Sequence, residues 1–460
     1  MNNPDVTVYI TNFNYGKYLK KSIKSVLNQT FKNIEILIVD DGSTDNSRKI
    51  LAEFRNKKNI RFIFQRNIGL NKSINIATKA AKGRFVLRLD ADDYLDENAI
   101  LLLYNKISKS EDIGLVYSDY YFINKNNEIT KYVKDVDFFE NLKSFYQPPH
   151  GACSLIRKSF LEEVNFYDKR FKRQDGVDIW FKFINKFKVK KINLPLFYYR
   201  QHSTSLSSNK TKIFQTRNKI LRKFVKTDIK KINKVLIIPA RSTVDIKNNL
   251  ALAKIGNKNL ISLTLEGAIK AKIFDKIIVT TRDKNIAKFL VKNYRKKIKI
   301  HKRPGIIQFE NTEYNQSVIS AIEKYCIKKP DVIVISHINY PFKKPFYYEK
   351  IINALIAHKA DRILTLSESF ENNLYKLKKN NFVQINDNDK GLLKLEKKSI
   401  FIETGGLTCF VYKKYKNFIK NRNKSKIKSN YMLIDKKSAF GINSEIDLLI
   451  ANKVIKNTLY

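Results

Sequence analysis

The chain has 460 residues, too many for one ordinary hydrophobic core, so two or three domains are expected. Its 89 Lys and Arg outnumber 43 Asp and Glu to give a formal charge of +46, but they are spread along the whole length, which argues against a nucleic-acid-binding arm or face. No apolar run reaches the ~18–20 residues that span a bilayer, and Cys153, Cys326 and Cys409 are too far apart for a zinc or disulfide framework.

These totals point to a cytoplasmic protein with reduced thiols. The chain enters a strand pattern within a few residues, so no signal peptide is expected. A surface this basic favours peripheral contact with an anionic membrane at its inner face.

In chain order, "VTVYI" (6–10) is a short apolar strand that ends at polar "TNFNYG". "YLKKSIKSVLNQ" places Leu19, Ile23, Val26 and Leu27 at helical spacing. "IEILIVDDGSTD" (34–45) is a continuous apolar strand that runs into acid and then glycine. A helix over "STDNSRKILAEF", a strand "IRFIFQ", a helix "LNKSINIATKAA" closed at Gly83, and a strand "RFVLRLDADD" follow. Strands alternating with helices predict a parallel α/β sheet covered on both faces, and wholly apolar strands fit that burial. The same grammar restarts at "KVLIIPA" (234–240). Two tandem α/β domains are therefore expected, at 1–210 and 234–460, joined by a basic helical linker at 211–233 that lacks Gly and Pro.

In open parallel sheets, ligands bind outside the carboxyl ends of the strands. Each polar cluster of the first half falls there: residues 11–14, Asp40 with Asp41, and residues 90–93. Asp90 and Asp92 bracket one residue, so on an extended segment they point the same way. Two such carboxylates repel unless a cation lies between them, and Mg²⁺ and Mn²⁺ take oxygen ligands from one or two carboxylates plus phosphates. A solvated acidic turn is the alternative.

Three stretches, "VTVYITNFNYGKYLKKSIKSVLNQTFKNIEILIVDDGSTDNS", "NIGLNKSINIATKAAKGRFVLRLDADD" and "RQDGVDIWFKF", resemble family 2 glycosyltransferases of the GT-A fold, over about residues 4–205. By that resemblance Thr11 and Asn14 line the nucleotide pocket and Asp41 holds the base or ribose. Asp90 touches the ribose or the sugar, and Asp92 ligates the Mn²⁺ or Mg²⁺ that bridges the donor diphosphate. The resemblance also implies an inverting transfer, which needs a general base for the acceptor hydroxyl. "FKRQDGVDIWFKF" offers Asp175 and Asp178; Asp178 precedes the apolar residues Ile179, Trp180, Phe183 and Ile184 and is expected to cap a helix, with Asp175 outside it. Many relatives carry Glu-Asp where this chain has Asp175-Gly176, so Asp175 is either the base or a surface acid. His150, Gly151 and Ala152 resemble the acceptor-side segment. His202, after Tyr-Tyr-Arg200, touches the metal or the diphosphate, or is a hydrogen-bonded loop histidine. Trp180 reads as core, with stacking as the alternative.

The second half, from "KVLIIPARSTVDIKNNLALAKIGNKNLISLTLEGAIKAKIFDKIIVTT" to "INSEIDLLIANKVI", resembles the cytidylyltransferases that activate sialic-type sugar acids, with a nucleotidyltransferase-like α/β sheet. Arg241 and Lys247 suit an anionic ligand or are plain surface charge. Two departures stand out. The loop "STVDI" lacks the family's phosphate-wrapping glycines. The family's Asp-Ile-Asp metal site is matched by Gly441, Ile442 and Asn443. An inactive or altered domain is expected, because nucleotidyl transfer needs a cation on the triphosphate.

The leading expectation is an enzyme that moves a sugar from a nucleotide-diphosphate donor to a hydroxyl of a cell-surface glycan, free or linked to lipid or protein. The alternatives are a non-catalytic nucleotide-sugar-binding scaffold and a bifunctional enzyme with an active CMP-sugar synthetase half.

Overall fold

The computed structural model describes residues 3–133, 151–171, 175–184, 186–202, 210–225, 229–240, 249–303, 314–369, 375–378, 381–384, 400–420 and 427–456. The chain clusters into two compact units, Met1–Ile220 with Asn373–Lys398, and Leu221–Asn372 with Ser399–Tyr460.

The first unit opens with β1 (Val6–Asn12), α1 (Gly16–Leu27), β2 (Ile34–Asp40), α2 (Ser47–Ala52), β3 (Ile60–Phe64), α3 (Leu70–Ala80) and β4 (Phe85–Asp90). It continues through β5 (Tyr94–Leu95), α4 (Ala99–Ile107), β6 (Ile113–Ile123), β7 (Ile129–Val133), β8 (Leu155–Arg157), α5 (Lys158–Glu163), α6 (Asp175–Ile184), β9 (Lys188–Arg200) and α7 (Lys210–Phe224). Nine strands form one sheet in the order β3-β2-β1-β4-β8-β6-β9-β5, with β7 paired to β6. The β3-β2-β1-β4 half is parallel, as the sequence predicts. Beyond β4 the sheet is mixed: β8 runs antiparallel to β4 and β6, and β5 antiparallel to β9. The expectation of one parallel sheet fails there because the strict strand–helix alternation stops after β4.

Every residue of β1 and β2 is buried. Val6, Val8 and Ile10 join one core layer with Leu19, Ile23 and Val26 of α1. Tyr9, Leu37 and Val39 join the opposite layer with Ile74 and Ala77 of α3. Period-2 alternation thus supplies both faces of a covered sheet. Trp180 is core, 3 % exposed and edge-on to Tyr117.

The second unit carries β10 (Lys234–Pro239), β11 (Lys254–Ile255), β12 (Lys258–Asn259), α8 (Leu260–Ala271), β13 (Lys276–Thr281), α9 (Lys284–Tyr294), β14 (Lys299–Lys302), α10 (Tyr314–Tyr325), β15 (Val332–Ser336) and α11 (Pro345–Ala357). Its β16 (Arg362–Ser369) is followed in the chain by the paired strands β17 (Tyr375–Lys378) and β18 (Asn381–Gln384), which cluster with the first unit, and the second unit resumes with β19 (Ile400–Val411), α12 (Tyr412–Lys420), β20 (Ser429–Leu433) and α13 (Glu445–Lys456). Its sheet has the order β14-β13-β10-β15-β19-β16-β20, with β19 antiparallel to both neighbours.

Candidate active site

Register brings the polar clusters of the first unit to one rim. Asn12 of β1 lies opposite Asp40 of β2, and Thr11 lies opposite Asp90 of β4. The strands end together there because each apolar run stops at the same level.

Two of the clustered residues brace loops. Asn14 adopts a left-handed φ of 60° and its Oδ1 accepts from the backbone N–H of Thr44 (2.7 Å) and Asp45 (3.3 Å). Asp41 is 4 % exposed and accepts from Gln65 Nε2 (2.7 Å) and the N–H groups of Ile68 and Gly69 (2.9 Å each). Both fix the walls of the rim. Thr11 is different: its buried hydroxyl has no partner among the described residues. Leaving such a group unpaired costs free energy, so it suits a ligand contact.

The acids at the end of β4 separate into three environments. Asp90 is held from behind by Arg88, with Nε to Oδ1 at 2.7 Å and Nη2 to Oδ2 at 3.1 Å, a bidentate clamp. Asp93 is buried; burial, then the charges of Asp92 and Asp90, push its carboxyl well above the usual range. Its Oδ2 has no partner among the described residues, while Oδ1 accepts from Arg200 N–H at 2.8 Å. Asp92 Oδ2 lies 2.9 Å from His202 Nε2. The His202 ring packs between Tyr15 (5.7 Å, edge-on) and Tyr18 (5.8 Å, stacked) of the α1 region.

The Asp92–His202 pair tests whether a divalent ion fits. Two neighbouring ligands of an octahedral ion with ~2.1 Å bonds stand about 3 Å apart. The observed 2.9 Å is a hydrogen bond and is also compatible with that edge, and three crowded carboxylates favour added positive charge. Asp92 and His202 would therefore hold the ion, with donor phosphate and water completing its shell.

Arg200 belongs to the frame. It is 1 % exposed, donates through Nε to Asp92 O (2.8 Å) and through Nη2 to Asn127 Oδ1 (2.6 Å), and lies over the Tyr18 ring. His202 lies two residues beyond the end of β9.

The helix carrying the expected base starts earlier than its apolar pattern suggests. α6 begins at Asp175, so Asp175 is its first residue and not outside it. Asp178, expected as the cap, lies within the helix, buried, with Lys182 Nζ at 3.3 Å. The side chain of Asp175 lies outside the described residues, as do His150, Arg241 and Lys247. The backbone explains why Asp175 is followed by glycine. A Cβ on Gly176 would stand 2.9 Å from Gly151 Cα, and one on Gly151 would stand 3.4 Å from Arg88 Nη1. The start of α6 therefore approaches the Arg88–Asp90 clamp through two glycines.

Sequence reasoning missed Arg88, Tyr15 and Tyr18. Arg88 had a signal, since it lies two residues before Asp90 on one strand face. The tyrosines had only their i, i+3 spacing beside the N-terminus of α1.

In the second unit, the buried His301 pairs through Nδ1 with Thr280 Oγ1 (3.0 Å), and Arg303 donates to Thr280 O (3.2 Å). These groups tie the carboxyl ends of β13 and β14.

An α/β sheet with carboxylates, an aspartate–histidine pair and an unpaired hydroxyl at its carboxyl rim defines an enzyme of the nucleotide-ligand class. Residues 7–165 match the family described as Glycosyl transferase family 2, and residues 235–451 match the family described as Cytidylyltransferase. Glycosyltransferase GlyG of Streptococcus pneumoniae is 31 % identical over 222 residues, 44 % of this chain and 72 % of that protein. Chondroitin synthase of Escherichia coli is 37 % identical over 116 residues, 25 % of this chain but only 17 % of that protein. Among solved structures, S. aureus TarS residues 1–349 in complex with UDP-GlcNAc shares 20 % identity over 49 % of this chain and 67 % of that one, with a TM-score of 0.42. The chain belongs to glycosyl transferase family 2 through its first domain, and carries a cytidylyltransferase-family domain behind it.

Proposed function

We propose that the first domain transfers a sugar, with inversion, from a nucleotide-diphosphate donor to a hydroxyl of a glycan, using a divalent cation. The Asp92–His202 pair at 2.9 Å carries this reading. The ion, Mn²⁺ or Mg²⁺, would neutralise charge on the leaving diphosphate. Thr11 and Asp90 would bind the nucleoside and sugar portions, with Asp41 in the pocket wall. In the transfer, the acceptor oxygen bonds to the anomeric carbon as the carbon–oxygen bond to the β-phosphate breaks. The acceptor proton passes to a carboxylate at the start of α6, which we assign to Asp175. A glycan acceptor is supported by the relative named chondroitin synthase. The surface charge suits contact with an anionic membrane, where a lipid-linked acceptor would lie. The second domain is read as one that does not transfer nucleotidyl groups, because Gly441 and Asn443 stand where acids are needed.

The test is nucleotide release from a panel of UDP-, GDP- and CMP-sugars with Mn²⁺. Wild-type protein is expected to release nucleotide only with metal, and Asp92→Ala to lose about 10²–10³-fold in kcat. Full activity in Asp92→Ala would falsify the metal assignment.

A further inference from the structure

In the second domain, the segment that holds Gly441 and Asn443 packs against Tyr340. Tyr340 follows β15 and its ring lies in a cradle of glycines from two other segments. A Cβ on Gly405 would stand 3.6 Å from Tyr340 Cε2, and one on Gly406 would stand 3.5 Å from Tyr340 Cγ. Both are ordinary contacts. Gly441 is tighter: a Cβ there would stand 3.0 Å from Tyr340 Cε1 and 3.2 Å from Cζ. Gly441 is not among the described glycines with positive φ, which are Gly42, Gly69 and Gly256. Its backbone therefore tolerates any residue, and the crowding comes from side chains: the Tyr340 ring first, then Asn443 Nδ2 at 3.3 Å.

The second lost acid is absorbed as well. Asn339 Nδ2 donates to Asn443 Oδ1 at 2.9 Å, and Ile442 N–H donates to Asn339 O at 2.7 Å. The nearby acids are engaged elsewhere. Asp447 Oδ2 accepts from the N–H groups of Asn443 and Ser444, each at 2.9 Å, and Asp435 Oδ2 accepts from Tyr347 at 2.7 Å. The residues present do not fit the ion that this family's chemistry implies.

We propose that the cation seat of the second domain is a packed joint, in which the Tyr340 ring crowds any side chain at position 441 and the Asn339–Asn443 hydrogen bond braces the segment before α13. The proposal rests on the reading of this half as inactive in nucleotidyl transfer, and adds its cause. Gly441 and Tyr340 form a coupled pair, so an acid at 441 would have to displace the ring. The joint ties the β15 loop, β19 and the entry to α13 into one rigid unit, a structural use of a former ligand seat.

The first test is a double-mutant cycle on the full chain, read by thermal unfolding. Gly441→Ala is expected to lower the midpoint of the affected transition by roughly 2–10 °C, the range for overpacking. On a Tyr340→Ser background the same substitution should cost less than half of that shift. Equal shifts on both backgrounds, or none on either, would overturn the joint. The second test removes the first-domain ion with Asp92→Ala in every variant and titrates Mn²⁺ in the presence of CTP, reading free ion by its paramagnetic resonance. Tyr340→Ser/Gly441→Asp/Asn443→Asp is expected to bind Mn²⁺ at least about tenfold more tightly than Gly441→Asp/Asn443→Asp, a difference of about 1.4 kcal/mol. Equal affinities would overturn the joint and leave the inactive reading standing. Pyrophosphate release from CTP and a sugar acid by the unaltered chain would overturn the inactive reading itself.

Discussion

At the scale of single residues, the first-domain site depends on how each acid is held. Asp92 faces His202, Asp93 is buried, and Asp90 is gripped by Arg88. Arg88 is 7 % exposed and Asp90 is still open to a ligand, so the guanidinium fixes a carboxylate that faces outward. A bidentate fork fixes both oxygens, which a lysine point charge cannot do. Arg88→Lys is therefore expected to lower kcat/KM for the donor roughly 10-fold, and Arg88→Met roughly 100-fold, costs of about 1.4 and 2.8 kcal/mol. Steady-state kinetics against donor concentration decides this, and unchanged kcat/KM in Arg88→Lys would leave Arg88 with a purely structural role. The acids themselves were legible in the sequence because they break off apolar strands. Their partners were less so. Period 2 points from Asp90 back to Arg88, but nothing local says that His202, 110 residues after Asp92, closes on it. That contact exists because β9 pairs with β6 and β5, and pairing across the mixed half of a sheet is not written in any one segment.

At the scale of elements, apolar periodicity located the strands and helices of the parallel half, where each element buries one continuous face. It misplaced the start of α6, because Asp175 and Gly176 carry no apolar signal; the turn forms there since Gly151 and Gly176 allow two backbones to touch. It also gave no hint of polar groups buried at helix ends, of which His358 is a clear case. His358 follows α11, is 6 % exposed, and its N–H bonds to Ala354 O at 3.0 Å. Burial, reinforced by the Lys428 ammonium, lowers its imidazole from 6.5 to about 3. The unfolded chain takes up this proton near pH 6.5, whereas the folded chain refuses it until about pH 3. The unfolded state thus binds more protons across that window, so this contribution to stability is whole above pH 6.5 and declines as pH falls towards 3. The complete difference corresponds to as much as about 5 kcal/mol. His358→Gln should flatten the acid side of the second domain's stability profile. Denaturant unfolding at about pH 7.5 and about pH 5 measures it: the loss between the two should be smaller in the variant than in the unaltered chain. Equal losses would assign the acid sensitivity to other groups.

At the scale of the whole molecule, the two domains have kept different things. The first has acids, an unpaired hydroxyl and a histidine at the sheet rim; in the second, Tyr340 packs against Gly405, Gly406 and Gly441. Both are basic, residues 1–210 with 36 Lys and Arg against 23 Asp and Glu and residues 234–460 with 45 against 19, and the spread of this charge decides how it can act. A charge of +46 without a concentrated arm gives long-range attraction to anionic surfaces but little geometric selectivity. Exposed lysines such as Lys413 and Lys414 of α12 add to this field without forming a pocket. No described helix is long and apolar enough to cross a membrane, and contact made through these lysines would be electrostatic. Such contact weakens as the screening length contracts with salt. The full chain is expected to sediment with vesicles containing phosphatidylglycerol and not with pure phosphatidylcholine. Raising ionic strength from about 0.05 M to about 0.5 M should release most of it. If the protein stays bound at the higher salt, or binds neutral vesicles equally, apolar insertion and not charge holds it, and the lysines serve solubility alone.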